Sequence, residues 1–456
     1  MKRSLEVYRQ IYLIGIGGIG MSALARYFNL QGFKVSGYDK TTSPLIDSLN
    51  KENITVHFED KGEAVFSLVG SSSDTLVIYT PAIPKEHQEL KLLQAKGYKV
   101  IKRAEALGMI TQYSRGLAVA GTHGKTTTST LLAHLLHETV GCNAFLGGIS
   151  TNYNTNYLSS KNSPFTVIEA DEFDRSFLHL SPYASIVTSV DADHLDIYGS
   201  AENFRKGFEE YAKRIESVGF LIAHKSVSLH TLAKTYTYAI GEKADYEGFN
   251  LQYENSVFKL DIKTPKKTYK DVVLGLPGKH NAENALACFA LCDVMQFDME
   301  KVIQHLASFK GVKRRFEYHL KTDELIYIDD YAHHPSEIKA LLDSVNLLYP
   351  EKKKIGVFQP HLYTRTRDFK DDFIKQLSRL DEVILLPIYP ARELPIEGIT
   401  SDALLEKITA KKKQVLSKEA TIAYLKDVTS GLVITIGAGD IDRLIPEIKK
   451  NFQEQK

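Results

Sequence analysis

The sequence predicts an α/β chain of three domains in series. Three observations carry that expectation. A glycine-rich turn joins two short apolar runs within residues 11–39, a second glycine turn leads through Lys125 into a helix, and beyond residue 320 apolar runs repeatedly end on polar loops. The length of 456 residues agrees, since domains of roughly 100–200 residues give about three.

In the first unit Ile11–Ile14 reads as a strand, Gly15-Ile16-Gly17-Gly18-Ile19-Gly20 as a turn, Met21–Gln31 as a helix and Lys34–Tyr38 as a second strand ending in Asp39. This is a G-x-G-x-x-G fingerprint with an acidic residue 19 positions beyond its last glycine. Taken alone it suggests NAD. Physically it requires a diphosphate at a helix N-terminus and a carboxylate within reach of a hydroxyl, and a UDP-sugar meets both conditions. A further strand, Thr75–Thr80, stops at Pro81-Ala82-Ile83-Pro84, and strand character is lost after Arg103-Ala104-Glu105, which puts the first boundary near residue 108.

The second unit opens on Gly116–Ala120, an apolar run feeding Gly121-Thr122-His123-Gly124-Lys125-Thr126-Thr127 and then a helix. Glycines let backbone N–H groups face a phosphate, Lys125 can reach terminal phosphates, and Thr126 can hold Mg²⁺. The usual P-loop pattern needs glycine at position 119, where this chain has Val119. Strands Thr166–Glu169 and Ala184–Val190 each run into an acidic cluster, Glu169-Ala170-Asp171-Glu172 and Asp191-Ala192-Asp193-His194. Oxygen donors of this kind suit Mg²⁺ beside phosphate. Residues 220–275 carry no catalytic pattern. Asn281 and Asn284 then stand three apart at the start of an Ala-rich helix, hence on one face, able to meet a purine edge; helix capping explains Asn281 equally well. The segment Lys310–Phe316, with Arg314 and Arg315, reads as a hinge.

The third unit alternates strands at Leu325–Asp329, Lys354–Gln359, Glu382–Ile388 and Leu432–Gly437 with helical segments. The polar residues sit at strand ends: Asp329-Asp330-Tyr331-Ala332-His333-His334-Pro335, and Gln359-Pro360-His361-Leu362-Tyr363-Thr364-Arg365-Thr366. Adjacent side chains on extended backbone point to opposite faces, so His333 and His334 do not read as a metal pair.

Composition excludes several classes. Lys plus Arg number 57 against 56 Asp plus Glu, which gives no whole-chain reason to expect nucleic acid or an anionic membrane. No apolar run approaches the length of a membrane span, and three cysteines without metal spacing read as free thiols in a reducing, cytoplasmic compartment.

Taken together, Gly-Thr-His-Gly-Lys-Thr-Thr-Thr, Glu-Ala-Asp-Glu, Ala-Asp-His-Leu-Asp, His-Asn-Ala-Glu-Asn, Arg-Arg-Phe-Glu, Asp-Asp-Tyr-Ala-His-His-Pro and Gln-Pro-His-Leu-Tyr-Thr-Arg-Thr occur in the order found in the Mur ligases, which the chain resembles from Gly15 to Asp440. The glycine-rich opening and the His-His pair resemble most the branch that adds the first amino acid of the peptidoglycan stem. The resemblance implies a Rossmann-like UDP-sugar domain at 1–108, a P-loop ATPase-like ATP domain at 109–316 and a Rossmann-like amino-acid domain at 317–456. The implied substrates are UDP-N-acetylmuramate and L-alanine, with ATP and Mg²⁺ as cofactors. A monomer or weak homodimer is implied, without nucleic-acid or membrane partners.

By the same resemblance, Gly15, Gly17, Gly18 and Asp39 belong to the UDP-sugar site, and Gly121 to Thr127 cradle ATP, with Lys125 on phosphate. Thr126, Glu169 and His194 hold Mg²⁺. Asn281 and Asn284 lie near adenine, Arg315 near phosphate and Asp330 near ribose; Tyr331, His333, His361 and Arg365 line the alanine pocket. The implied chemistry is phosphorylation of a carboxylate followed by amine attack, with His333 or His361, titrating near neutrality, as the group that takes the amine proton. The chain departs from the family at Leu362, where arginine is frequent, and carries Phe208 where some siblings have a carbamylated lysine. The competing expectations are a sibling that adds a murein peptide to UDP-N-acetylmuramate and, on the glycine fingerprint alone, an NAD-dependent dehydrogenase.

Overall fold

The computed structural model describes residues 5, 7–84, 86–191, 195–254, 257–391 and 393–454. Two compact units result, Met1–Leu276 with Asn281–Lys310, and Pro277–His280 with Gly311–Lys456.

The first unit holds two sheets. In the smaller, five parallel strands lie in the order Thr55–His57, Lys34–Tyr38, Gln10–Ile14, Thr75–Tyr79, Lys99–Lys102. Gln10–Ile14 is buried throughout, as an apolar strand covered on both faces must be. The chain leaves it to one side and returns on the other, so its carboxyl end is the switch point where ligands bind in such sheets. The glycine turn and the helix Ile19–Leu30 start there.

The larger sheet has ten strands, in the order Thr268–Leu274, Val257–Lys263, Tyr246–Glu254, Lys234–Ile240, Phe220–His224, Ala184–Val187, Arg115–Ala120, Phe165–Glu169, Asn143–Phe145, Tyr157–Leu158. Residues 220–275, without pattern in the sequence, thus extend this sheet, ending in an antiparallel meander. The strand expected to reach Val190 stops at Val187, because Thr188 turns in to donate from Oγ1 to the His123 carbonyl (2.6 Å) beneath the second glycine turn.

Within this unit the two sheets are pinned together. Tyr27 packs on Phe145 and Tyr157, with ring centroids 5.5 and 6.1 Å away. Arg26, held by Glu52 (Nε to Oε2, 2.9 Å), also donates from Nη1 to Asn156, and Asn156 Nδ2 donates to the Ile19 carbonyl (2.6 Å) and Ser22 Oγ (2.8 Å). The first turn of the Ile19–Leu30 helix is therefore fixed by the residue just before the Tyr157–Leu158 strand of the larger sheet.

The second unit holds six strands in the order Glu317–Lys321, Leu325–Asp330, Gly431–Ile436, Lys354–Phe358, Glu382–Leu385, Lys412–Val415, parallel except for the first. Among the described residues no helix is long and apolar enough to cross a membrane.

Candidate active site

The second glycine turn is built for close approach. Gly121 has φ +131° and Gly124 φ +79°, conformations that side-chain-bearing residues rarely adopt. A Cβ on Gly124 would also come within 2.9 Å of Asn284 Oδ1. Val119, the departure from the P-loop pattern, lies inside the strand Arg115–Ala120 and pairs with Glu169, so the turn begins only at Gly121 and needs no glycine before it.

Lys125 opens the following helix, Lys125–Thr139, and its Nζ donates to the Gly121 carbonyl (2.8 Å), the Thr122 carbonyl (3.3 Å) and Glu172 Oε1 (2.7 Å). Burial pulls the ammonium pKa down, but the carboxylates of Glu172, Asp171 and Glu169 outweigh it and hold the pKa above the ordinary lysine value. Glu172, with a side chain 1% exposed, is pushed up by burial to about 7 even with Lys125 beside it. The sequence placed Glu172 only within an acidic cluster suited to Mg²⁺, with no role of its own; in the structure it pairs with Lys125.

Thr126 Oγ1 donates to Glu169 Oε1 at 3.2 Å. Gly147 makes this possible, since a Cβ there would collide with the Glu169 carboxylate. The hydroxyl and the carboxylate offer hard oxygen donors at the mouth of a phosphate loop, a set that fits Mg²⁺. His194 lies outside the described residues. His123 turns toward Asp191 (Nε2 to Oδ2, 3.9 Å).

At the first turn, Gly15 takes φ +86°, and the Gly17 N–H donates to Asp39 Oδ2 (2.8 Å) while the Thr41 N–H donates to Oδ1 (3.2 Å). Asp39 thereby shapes the turn as well as facing it. Gly18 caps the Ile19–Leu30 helix in extended conformation. A cleft of about 260 Å³ runs from Gly18, Gly20 and Met21 to Glu169 and Asp171. Arg103 lines it, 3.6 Å from Asp171 Oδ2, and lies so close over Gly20 that a Cβ there would sit 2.7 Å from Nη1. Arg103 is a second residue that the motifs did not single out.

Asn281 and Asn284 meet as their spacing predicts, 3.5 Å apart, and line a narrow recess of about 10 Å³ with Thr127, Leu131, Gly275 and Phe309. Phe208, at the position of the siblings' modified lysine, is fully buried against Phe177 and Phe204.

In the second unit the predicted cluster assembles. Tyr331 and His333 rings lie 5.3 Å apart, His333 and His361 6.1 Å apart, and Arg365 Nη1 is 3.4 Å from His361 Nδ1. His361 also stacks on Tyr389 at 5.6 Å. Arg314 and Arg315 each place a guanidinium 5.1 Å from the Tyr331 ring. Asp330 is turned onto the backbone, accepting from the Phe316 (2.7 Å) and Ala332 (2.8 Å) N–H groups, and burial raises it to about 6. His334 points elsewhere, capping the Pro335–Leu348 helix through Ser336 and packing on Phe369.

One expectation is corrected. Burial lowers His361 to about 4, helped by His333 and Arg365, well away from neutrality, and burial lowers His333 below the ordinary histidine value despite Glu337. Both are neutral imidazoles at pH 7, suited to hydrogen bonding rather than to holding a proton. Leu362 takes φ +71°, an uncommon conformation for a residue with a side chain, at the turn that delivers Arg365.

Three sheets with these two glycine turns at strand ends define a multidomain α/β protein of the nucleotide-binding kind. The sequence matches three family profiles: the Mur ligase family catalytic domain over residues 10–115, the Mur ligase middle domain over 119–292 and the Mur ligase glutamate ligase domain over 314–439. It is 48% identical over 455 residues to a UDP-N-acetylmuramate--L-alanine ligase of Flavobacterium johnsoniae, covering 99% of each chain. A crystal structure of a UDP-N-acetylmuramate-alanine ligase from Thermotoga maritima superposes with a TM-score of 0.83 at 27% identity, covering 98% of this chain and all of the other. A murein peptide ligase from Psychrobacter arcticus shares the fold with a TM-score of 0.71 at 20% identity, over 97% and 98% of the two chains. The chain belongs to the Mur ligase family.

Proposed function

We infer that this ligase joins L-alanine to the carboxylate of UDP-N-acetylmuramate at the expense of ATP. The observation that carries the reading is the cleft from Gly18 to Glu169: one end is a helix N-terminus suited to a diphosphate, the other is the Thr126–Glu169 pair beside the phosphate loop. A sugar nucleotide lying along it presents its free carboxylate where a nucleotide's terminal phosphate is held. A dehydrogenase has no use for that second end.

A carboxylate oxygen attacks the terminal phosphorus, the bond to ADP breaks, and an acyl phosphate forms. The alanine amine then attacks the acyl carbon, phosphate departs and the amine proton is lost. Lys125 and Arg315 offset charge on the transferring group. Thr126 and Glu169, with His194, would hold Mg²⁺, which supplies further charge neutralisation when bound. Asn281 and Asn284 face the adenine, and Asp330 the ribose. Tyr331, His333, His361 and Arg365 recognise alanine, with Arg365 alone on its carboxylate because position 362 is leucine. The reading keeps the division at 1–108, 109–316 and 317–456, and a cytoplasmic site of action, which the three buried free cysteines support.

Phosphate release from ATP, measured across amino acids, tests the assignment. Release is expected only when UDP-N-acetylmuramate and an amino acid are both present, with L-alanine preferred. Equal rates with glycine, serine and alanine would overturn the specificity, and strong activity with a tripeptide would move the assignment to the murein peptide branch. Lys125→Ala is expected to abolish turnover while UDP-sugar binding survives.

A further inference from the structure

Glu172 lies outside the roles assigned so far, yet it makes the shortest contact of the phosphate-loop lysine. Its Oε1 is 2.7 Å from Lys125 Nζ, and the two side chains are only 1% and 14% exposed. The backbone of Glu172 is held as well: Tyr198 donates to its main-chain carbonyl (2.7 Å), and the Arg175 guanidinium lies 5.3 Å from the Tyr198 ring. The same segment carries Asp174 and Arg175 at φ +51° and +55°, two consecutive left-handed residues that set the course of the chain just past Glu172.

Lys125 spends its three donors on Glu172 and the carbonyls of Gly121 and Thr122, so a phosphate that needs this ammonium competes with a buried carboxylate. Two anions cannot share one cation in a dry pocket at low cost. A proton on the carboxylate would remove that cost.

We propose that Glu172 is a positioning residue for the phosphate loop: it holds Lys125 in register beneath the turn, releases it to the terminal phosphates of ATP, and takes one proton from solvent as it does so. The inference rests on the nucleotide reading of the loop. The charged groups that act on Glu172 include Lys125 and Asp171, and the Tyr198 phenol lies close; Asp171 is a like charge that favours the protonated form. Loss of the Lys125 cation, which now lowers the Glu172 pKa from the side, makes the protonated form more stable still. The step balances as carboxylate plus proton to carboxylic acid, with Lys125 remaining an ammonium. By linkage, binding that takes up a proton weakens as pH rises, by at most about tenfold per pH unit.

The test is calorimetric titration of the full-length protein with ATP and Mg²⁺, without UDP-N-acetylmuramate so that no turnover occurs. It is run at pH 8 in two buffers of different protonation enthalpy. The wild type is expected to take up a proton on binding, with affinity falling as pH rises. Glu172→Gln is expected to lose both the uptake and the pH slope and to bind ATP more tightly at pH 8; Glu172→Asp is expected to retain the uptake. Uptake that persists in Glu172→Gln belongs to another group and would overturn the proposal, as would binding by the wild type without uptake. Absence of any ATP binding would instead overturn the nucleotide reading itself. An infrared difference spectrum of the wild type, in which a protonated carboxyl band must appear on ATP binding, decides the matter if Glu172→Gln does not fold.

Discussion

Thr126 Oγ1 and Glu169 Oε1 stand 3.2 Å apart, although 43 residues separate them in the chain. The first residue of a phosphate loop that can hold a metal thus already faces a carboxylate from the neighbouring strand. Glu169→Gln keeps the hydrogen bond but removes the charge. Turnover is expected to fall by about 10²–10³-fold, the cost of losing one preorganised electrostatic contact in a transition state. UDP-sugar affinity is expected to stay unchanged, as read by equilibrium binding with labelled UDP-N-acetylmuramate.

Arg103 stands on the cleft wall between the sugar-nucleotide turn and Glu169. A charge-assisted hydrogen bond is worth about 1.5–3 kcal/mol, so Arg103→Ala is expected to raise KM for UDP-N-acetylmuramate by roughly tenfold or more. KM for ATP is expected to hold. A rise in both, measured by steady-state kinetics with each substrate varied, would remove Arg103 from the sugar side.

Gly124→Ala places a Cβ at φ +79° and against Asn284. The left-handed conformation alone costs about 1–2 kcal/mol with a side chain, and the Asn284 contact adds to it. ATP affinity is expected to drop about tenfold or more on fluorescent nucleotide displacement, with the far-UV spectrum unchanged.

The pH dependence of stability offers a check on His361. Its pKa in the folded protein, about 4, lies below the ordinary 6.5, so the unfolded chain binds more protons between these values. The contribution of a neutral His361 to stability is complete above pH 6.5 and is lost as pH falls toward 4. His361→Asn removes that loss. The stability of the variant relative to the wild type, from denaturant titrations at pH 7 and pH 4.5, is therefore expected to rise at the lower pH.

Much of the site was written in contiguous strings. The glycine turns, Gly-Lys-Thr, the paired asparagines and the Tyr331/His333 and His361/Arg365 segments each bring their own backbone geometry, and spacing predicts which side chains share a face. The strand Lys34–Tyr38 falls where the apolar pattern put it. The His333 and His334 side chains diverge as extended backbone requires. Residues 220–275 resisted because strands at the end of a large sheet, partly exposed, carry neither a clean alternation nor a continuous apolar run.

What the sequence determined by itself was the α/β class and the two glycine turns, because these reside in local patterns of glycine, apolar period and strand-end polarity, and the family, through the order of its motifs. Only the tertiary structure decided that Glu172 sits on Lys125, that Arg103 lies over Gly20, that Gly147 clears space for Glu169 and that Asn156 fixes the first turn of the Ile19–Leu30 helix. It also decided that burial lowers the pKa of both His333 and His361, the latter to about 4. The reason is common to all of these: each depends on how two segments distant in the chain are packed and how much water that packing excludes, and neither quantity is carried by any residue on its own.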